Sequence, residues 1–195
     1  MIADVPALTD LTWPKTTERL SLRLAVEADL EPMWQIRRQD SVGRWMTDAS
    51  KDLDAFVASS AEYKRLDSTL IIERDGSVIG DLMLRVEDAW AQGEVKDQAV
   101  GVQAEIGWCI DPSVEGNGYA TEAVVELIRV GFEDLGLRRL TALCFADNVP
   151  SWRLTERVGM RREAYNVKDS LHRSGEWLDG MMYALLVDEW RDAVG

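Results

Sequence analysis

The stretch that most constrains this chain runs from Glu105 to Glu122 and reads EIGWCIDPSVEGNGYATE. Apolar and polar residues alternate up to Asp111-Pro112, which is the period of a strand. The loop Glu115-Gly116-Asn117-Gly118-Tyr119-Ala120 follows at once, and an amphipathic segment then runs from Tyr119 towards Leu135. The order is strand, glycine loop, helix. Glycine lacks a Cβ, so its backbone N–H can turn toward a ligand and approach it closely. A helix N-terminus adds unpaired N–H groups and the positive end of its dipole. Together they predict a site for phosphate or pyrophosphate.

Three glycine-loop chemistries compete for this stretch. A Walker A loop needs Lys-Ser/Thr after its last glycine, and Tyr119-Ala120 stands there instead, so that reading fails. A dinucleotide fingerprint would place its third glycine at Thr121, and no βαβ unit opens here. The third pattern is Gln/Arg-x-x-Gly-x-Gly/Ala, which Glu115 to Ala120 matches except at Glu115. That pattern is the coenzyme A pyrophosphate loop of the GNAT acetyltransferases. A plain glycine turn ahead of a helix would look the same by itself.

The neighbouring residues extend the resemblance. Thr17-Glu18-Arg19-Leu20 with Leu22-Arg23 resembles the opening strand of the RimJ/RimL-type branch, and Glu105-Ile106-Gly107-Trp108 its central strand. Gly118 to Ala123 resembles its cofactor loop and helix start. Asn148-x-x-Ser151 and Glu156 to Met160 resemble a later helix and its exit, with Met160 replacing Phe. Asp179 to Tyr183 and the closing Glu189-Trp190 resemble the last strand. The resemblance spans nearly the whole chain in order. It implies an α/β GNAT fold: a mixed, mostly antiparallel sheet, splayed at the cofactor site and flanked by helices. It also implies transfer of an acetyl group from acetyl-coenzyme A to a primary amine by direct attack in a ternary complex.

Composition narrows the remainder. At 195 residues, one domain over 1–195 is expected, with 1–16 as an N-terminal arm. No apolar run approaches the roughly 20 residues of a membrane span, and Met1 to Asp10 lacks the basic start of a secretory signal. The cytoplasm is therefore the expected compartment. A formal charge of −13 argues against nucleic acid, which demands a basic face. It favours cationic amines or peptides as partners, although acidity also simply keeps a protein in solution. Cys109 and Cys144 lie in apolar runs and read as buried, reduced thiols. One histidine and no paired ligand spacing argue against a metal site. The eight tryptophans and the branch resemblance suggest a homodimer.

Along the chain, the pattern predicts a strand at Leu20–Leu24 and a helix at Asp29–Arg38. A loop is expected over Ser41–Asp48. A second helix is expected to be capped by Ser50 or Asp52 and to run to about Lys64, burying Leu53, Phe56, Val57 and Ala61. Thr69–Ile72 and Val78–Val86 form a hairpin through Asp75-Gly76. Glu87–Gly101 reads as an acidic loop or strand extension. Val102–Ile110 is the central strand. The main helix, Tyr119–Leu135, buries Ala120, Val124, Leu127, Gly131 and Leu135 and ends at Gly136. A strand at Arg139–Phe145, a helix from Asp147 or Asn148 to about Val158, and a final pair, Arg161–Leu171 and Glu176–Leu186, complete the pattern.

Acetyl transfer makes three demands. The cofactor must be held, the oxyanion needs donors, and the amine must be neutral. The resemblance gives the first to the backbone of Glu115, Gly116, Asn117, Gly118, Tyr119 and Ala120, although the Glu115 carboxylate repels pyrophosphate unless it points outward. It leaves N–H groups of Trp108, Cys109 and Ile110 free in the splay, with a donor near Cys109 for the carbonyl; one such donor contributes about 10²–10³ in rate. Neutral amine is scarcer for alkyl acceptors, with about one part in 10³ free at neutral pH, than for α-amines, with about a tenth free. Glu105 is the leading base, acting through water, with a purely structural hydrogen-bond role as its alternative. Asp169 is the second base candidate. Asn148 and Ser151 resemble the residues that meet the pantetheine and the thiol, with Ser151 as catalytic acid; helix capping is the alternative reading of both. His172 reads as an exposed turn residue. The acceptor classes are a protein N-terminus, a polyamine or an aminoglycoside-like molecule. A coenzyme-A-binding regulatory module without turnover is the competing reading, and a nucleotide-binding protein a third.

Overall fold

The chain forms eight strands in this computed structural model, which describes residues 6–50 and 52–194. They are β1 (Lys15–Thr16), β2 (Ser21–Leu24), β3 (Thr69–Arg74), β4 (Ser77–Glu87), β5 (Gln103–Ile110), β6 (Arg139–Phe145), β7 (Arg161–Leu171) and β8 (Trp177–Leu186). Their order in one sheet is β1-β2-β3-β4-β5-β6-β8-β7. β5 and β6 run parallel, while β1–β2, β2–β3, β3–β4, β6–β8 and β7–β8 run antiparallel. The sheet is therefore mixed and mostly antiparallel, as expected. The helices are α1 (Leu30–Arg37), α2 (Asp40–Gly43), α3 (Leu53–Glu62), α4 (Tyr119–Arg129), α5 (Val149–Arg157) and α6 (Val187–Val194).

Contacts divide the chain into two compact units. One, here the loop unit, comprises Leu8–Met83 and Trp108–Glu126. The other, the C-terminal unit, is built on Leu84–Gly107 and on the chain from Leu127 onward. In the loop unit, Ala25, Leu30, Met33, Phe56 and Ile71 form one buried cluster. Burying each large side chain in such a cluster contributes about 1.5–3 kcal/mol. Asp52 caps α3 by accepting the Ala55 N–H at 2.8 Å. Asp75 and Gly76 both take positive φ, +51° and +76°, the backbone of a two-residue type I′ hairpin. Arg23 grips the buried Asp29 through two bonds of 2.6 and 2.7 Å, which ties β2 to the start of α1.

In the C-terminal unit, β6 pairs with β8 from Arg139↔Leu186 to Phe145↔Gly180. Leu127, Ile128, Val130, Leu137, Leu140 and Tyr183 fill the core. The ladder between β5 and β6 covers three pairs and ends at Glu105↔Thr141, although β5 runs on to Ile110 and β6 to Phe145.

Several expectations need correction. Of the proposed 1–16 arm, Met1–Val5 lies outside the described residues, and Lys15–Thr16 forms β1, recruited by backbone pairing to β2 rather than by any side-chain period. The 41–48 loop begins with a helical turn, α2. On α3, Ser60 is buried and Ala61 exposed, because the buried edge turns toward Phe56 and Ser60. Part of the 87–101 segment winds into a 3₁₀ helix, Gly93–Ala99. The main helix changes winding: Val130–Asp134 is a π turn in which Leu135 N–H bonds Val130 O, 3.0 Å away and five residues back. Ala120 is only half-buried, while Ala123 and Ile128 complete the stripe. Glu189 and Trp190 belong to α6, where Trp190 rests on Phe132, rather than to a strand. Cys109 is buried but Cys144 only half so, and both thiols are free.

Candidate active site

The loop unit carries the glycine loop. β5 ends at Ile110, and Asp111 accepts the Ser113 N–H at 2.9 Å to cap a short 3₁₀ turn, Pro112–Val114. Gly116 and Gly118 then take φ of +79° and +81°, with Asn117 between them. Positive-φ residues in a tight turn can face backbone N–H groups toward an anion. The Asn117 amide donates to Val114 O at 3.0 Å and to Glu115 O at 3.2 Å, which holds the turn shut from behind. Helix α4 starts at Tyr119. Glu115, Gly116, Asn117 and Gly118 are exposed, Tyr119 is buried and Ala120 half-buried.

A brace from β2 supports this loop. Arg19 Nη1 donates to Asn117 O at 3.0 Å, and its Nε donates to Glu122 Oε2 at 2.7 Å. The Glu122 Oε1 also accepts the Arg19 N–H at 2.8 Å and the Thr17 hydroxyl at 2.5 Å. Partial burial works against the Glu122 charge, yet the hydrogen bonds from Thr17 and Arg19 win and hold its carboxyl below the usual glutamate range. The guanidiniums of Arg19 and Arg74 stack on the Tyr119 ring at 4.6 and 4.9 Å from its centroid. Trp108 and Ile110 are half-buried and Cys109 is buried. Burial pushes the Cys109 thiol up to about 12, Asp81 adding to the effect and Arg37 opposing it. At neutral pH it is a thiol and no nucleophile.

The C-terminal unit carries the base candidates. Glu105 is half-buried on β5 and ion-paired with Arg85 of β4, which also contacts Glu87 at 3.0 Å. Burial raises the Glu105 pKa, Arg85 opposes the rise and Glu87 adds to it. A carboxyl raised toward neutrality is a stronger base while still ionised there. Asp169 is exposed on β7 and accepts the Ser170 hydroxyl at 2.9 Å. Asn148 precedes α5, but its side chain makes no capping bond. Its backbone carbonyl accepts the Ser151 N–H at 3.1 Å. Ser151 is half-buried; burial pushes the Cys144 thiol up to about 11, and the Ser151 hydroxyl opposes the rise. His172 is half-buried, stacks edge-on against Phe145 and bonds Ser174.

The structure thus places Glu115 to Ala120 in one turn at the start of α4, and Asn148 and Ser151 at the start of α5. Sequence reasoning missed the residues that hold these groups: Glu122, Arg85, Glu87 and the Arg37–Asp81 pair, together with the bracing role of Arg19. Arg19 and Glu122 stand inside the quoted runs, but nothing in either run shows that one reaches the other.

The family model described as an acetyltransferase (GNAT) domain matches residues 19–161. Among curated proteins, an uncharacterised N-acetyltransferase of Bacillus subtilis (strain 168), YnaD, is 29% identical over 179 residues, covering 90% of this chain and 98% of that protein. YdaF of the same organism, named as a candidate ribosomal N-acetyltransferase, is 28% identical over 188 residues, covering 90% of this chain and 96% of that one. Spermidine N-acetyltransferase of Vibrio cholerae, solved in complex with CoA and spermine, superposes with a TM-score of 0.72 at 16% identity, covering 90% of this chain and 99% of that one.

Proposed function

The chain belongs to the GNAT acetyltransferase family, in its RimJ/RimL-like branch, and from that premise we propose that its loop Glu115–Ala120 binds the pyrophosphate of acetyl-coenzyme A and that its acceptor is a cationic primary amine. One observation carries the reading: Gly116 and Gly118, both at positive φ, stand at the N-terminus of α4 and are braced by Arg19 and Glu122. GNAT enzymes use acetyl-coenzyme A as co-substrate, and two phosphates need several N–H donors on one side, which this nest supplies. The exposed Glu115 can keep its carboxylate in solvent while its backbone remains part of the turn.

Each remaining demand of acetyl transfer has a residue assigned to it. The backbone of Trp108, Cys109 and Ile110 donates to the pantetheine and to the thioester carbonyl, with the donor near Cys109 aimed at the developing oxyanion. Glu105 removes the proton of the acceptor amine through water, and its raised pKa suits that role. Asn148 meets the pantetheine and Ser151 the sulfur. In favour of that assignment, Asn148 spends no side-chain bond on capping α5, and Ser151 stands half-buried in the first turn of the same helix. The thiolate leaves readily, since thiols ionise near 8.5, so an acid there contributes only a few kcal/mol.

The acceptor is a protein N-terminus, a polyamine or an aminoglycoside-like molecule. YdaF favours the first, the spermine complex of the Vibrio protein favours the second, and the net charge of −13 suits all three. The test is thiol release from acetyl-coenzyme A with a panel of a serine-starting peptide, spermine and an aminoglycoside. Turnover with any member supports the reading. Coenzyme A binding without thiol release across the panel would favour a regulatory module instead.

A further inference from the structure

At one point in the loop unit, β4 and β5 approach more closely than side chains allow. A Cβ built on Gly80 would lie 2.3 Å from the Cys109 carbonyl oxygen, 2.9 Å from Ile110 Cδ1 and 3.2 Å from Ile110 Cα. The strands stay hydrogen-bonded beside this point, with the Asp111 N–H donating to Ile79 O at 2.9 Å. Gly80 lies inside an eleven-residue strand, four residues after the Gly76 turn and beside a shift in the β3–β4 register. Glycine inside a strand marks a place where another backbone comes close.

The next residue carries a buried charge. Asp81, 1% exposed, is ion-paired with Arg37 of α1, 7% exposed. Arg37 Nε reaches Asp81 Oδ2 at 3.3 Å, with a second contact from Nη2 to Oδ1. The buried Cys109 thiol feels both charges. Helix α1 is itself closely fitted here, since a Cβ on Gly43 would lie 2.7 Å from Arg37 O. Cys109 is therefore met at its carbonyl by the bare backbone of Gly80, whose neighbour Asp81 is fixed in a buried ion pair.

We propose that Gly80, backed by the Arg37–Asp81 pair, is a positioning residue that sets the place of the Cys109–Ile110 backbone and so aims the N–H that meets the reacting carbonyl. The inference rests on the oxyanion assignment made above. An oxyanion donor works over a narrow range, about 2.7–3.1 Å. Opening the Gly80–Cys109 contact from 2.3 Å to an ordinary 3.4 Å moves β5 by roughly 1 Å, and a misplacement of about 1 Å can cost about 10² in rate. The pyrophosphate loop lies beyond the Pro112–Val114 turn and has its own brace in Arg19 and Glu122, so the hold on the pyrophosphate survives the shift and only the pantetheine bonds of the Cys109–Ile110 backbone weaken with it.

The test is steady-state kinetics of Gly80→Ala in the full-length protein, with acetyl-coenzyme A and the best amine of the panel, alongside coenzyme A titration by calorimetry. The expected result is a kcat about 10²-fold lower, with the coenzyme A Kd and the KM for acetyl-coenzyme A raised by less than about tenfold, since the pyrophosphate hold is kept while the pantetheine bonds weaken. A purely structural glycine would lower the amount of folded protein and leave kcat per active site unchanged. If Gly80→Ala does not fold, the double variant Arg37→Gln/Asp81→Asn loosens the same seat without leaving an unpaired buried charge. Its kcat is expected to fall about tenfold, again with a smaller change in coenzyme A affinity. A wild-type kcat in folded Gly80→Ala, or in the double variant where that must stand in, overturns the inference alone. Absence of turnover by the wild-type protein itself would overturn the functional reading, and this inference with it.

Discussion

Arg19 and Glu122 stand 103 positions apart and meet through paired contacts, Nε to Oε2 at 2.7 Å and Nη2 to Oε2 at 2.6 Å. Arg19 passes the constraint on to the loop through Asn117 O. Glu122 is thus a support of the nest, and its place in the first turn of α4 also suits the helix dipole. Glu122→Gln is expected to destabilise the protein by about 1–2 kcal/mol, because bonds to a charged acceptor are replaced by weaker ones. Coenzyme A affinity should fall as well. The pH dependence follows from the lowered Glu122 pKa. Its stabilisation is present above the ordinary glutamate value of 4.5 and is lost as pH falls through the folded-state value below it. Urea midpoints measured between neutral pH and pH 3 should therefore fall more steeply in wild type than in Glu122→Gln. Parallel curves would count against the brace.

The second prediction concerns Glu105 as base. Glu105→Gln should lower kcat by about 10²–10⁴, at the low end for an α-amine acceptor, of which about a tenth is already neutral. The KM for acetyl-coenzyme A should stay near wild type, and the mutant rate should climb with pH as free amine accumulates. A wild-type rate near neutral pH would return Glu105 to a structural role and turn attention to Asp169.

Arg85 and Glu87 allow the same base to be tested without touching it. Arg85 lowers the Glu105 pKa and Glu87 raises it. A base works only when ionised, so the rate falls as pH drops through the Glu105 pKa. Arg85→Met should move that acidic limb to higher pH, and Glu87→Gln should move it lower. The pH profile of kcat for the two variants checks both signs. A limb that stays fixed in both belongs to another group.

Much of the fold is legible in the sequence because its signals are local. Asp75-Gly76 specifies a hairpin by backbone preference alone, Gly136 and Gly159 end helices at φ of +68° and +88°, and β6 follows the Arg139–Phe145 pattern residue for residue. The misses share a non-local cause. The π turn at Val130–Asp134 leaves the apolar stripe intact, so periodicity does not reveal it; it comes with Gly131, where a Cβ would lie 3.1 Å from a Leu140 methyl. Lys15–Thr16 becomes a strand only because β2 offers a partner. The glycine loop could be read from its own residues, but Arg19, Glu122 and Arg85 act on the candidate site through contacts that no spacing encodes.

A homodimer remains our proposal for the assembly. Trp90 is 89% exposed and Trp177 56% exposed in the C-terminal unit, and tryptophan is enriched where interfaces bury surface. Light scattering at micromolar concentration should return twice the chain mass of 22.0 kDa. The mass of a single chain would contradict the proposal.

The central claim is that the nest at Gly116 and Gly118 holds the pyrophosphate, and calorimetric titration of coenzyme A into wild type and Gly118→Ala tests it most directly. Gly118 has φ of +81°, and a Cβ there would lie 3.5 Å from Arg19 Nη2, an ordinary contact, so alanine introduces no clash. It does oppose the left-handed backbone by about 1–2 kcal/mol and turns the loop N–H groups off their common side. The account predicts that wild type binds coenzyme A and that Gly118→Ala binds it at least about tenfold more weakly, each 1.4 kcal/mol being a factor of ten, with an unchanged circular dichroism spectrum. Equal affinity in the two proteins would contradict it.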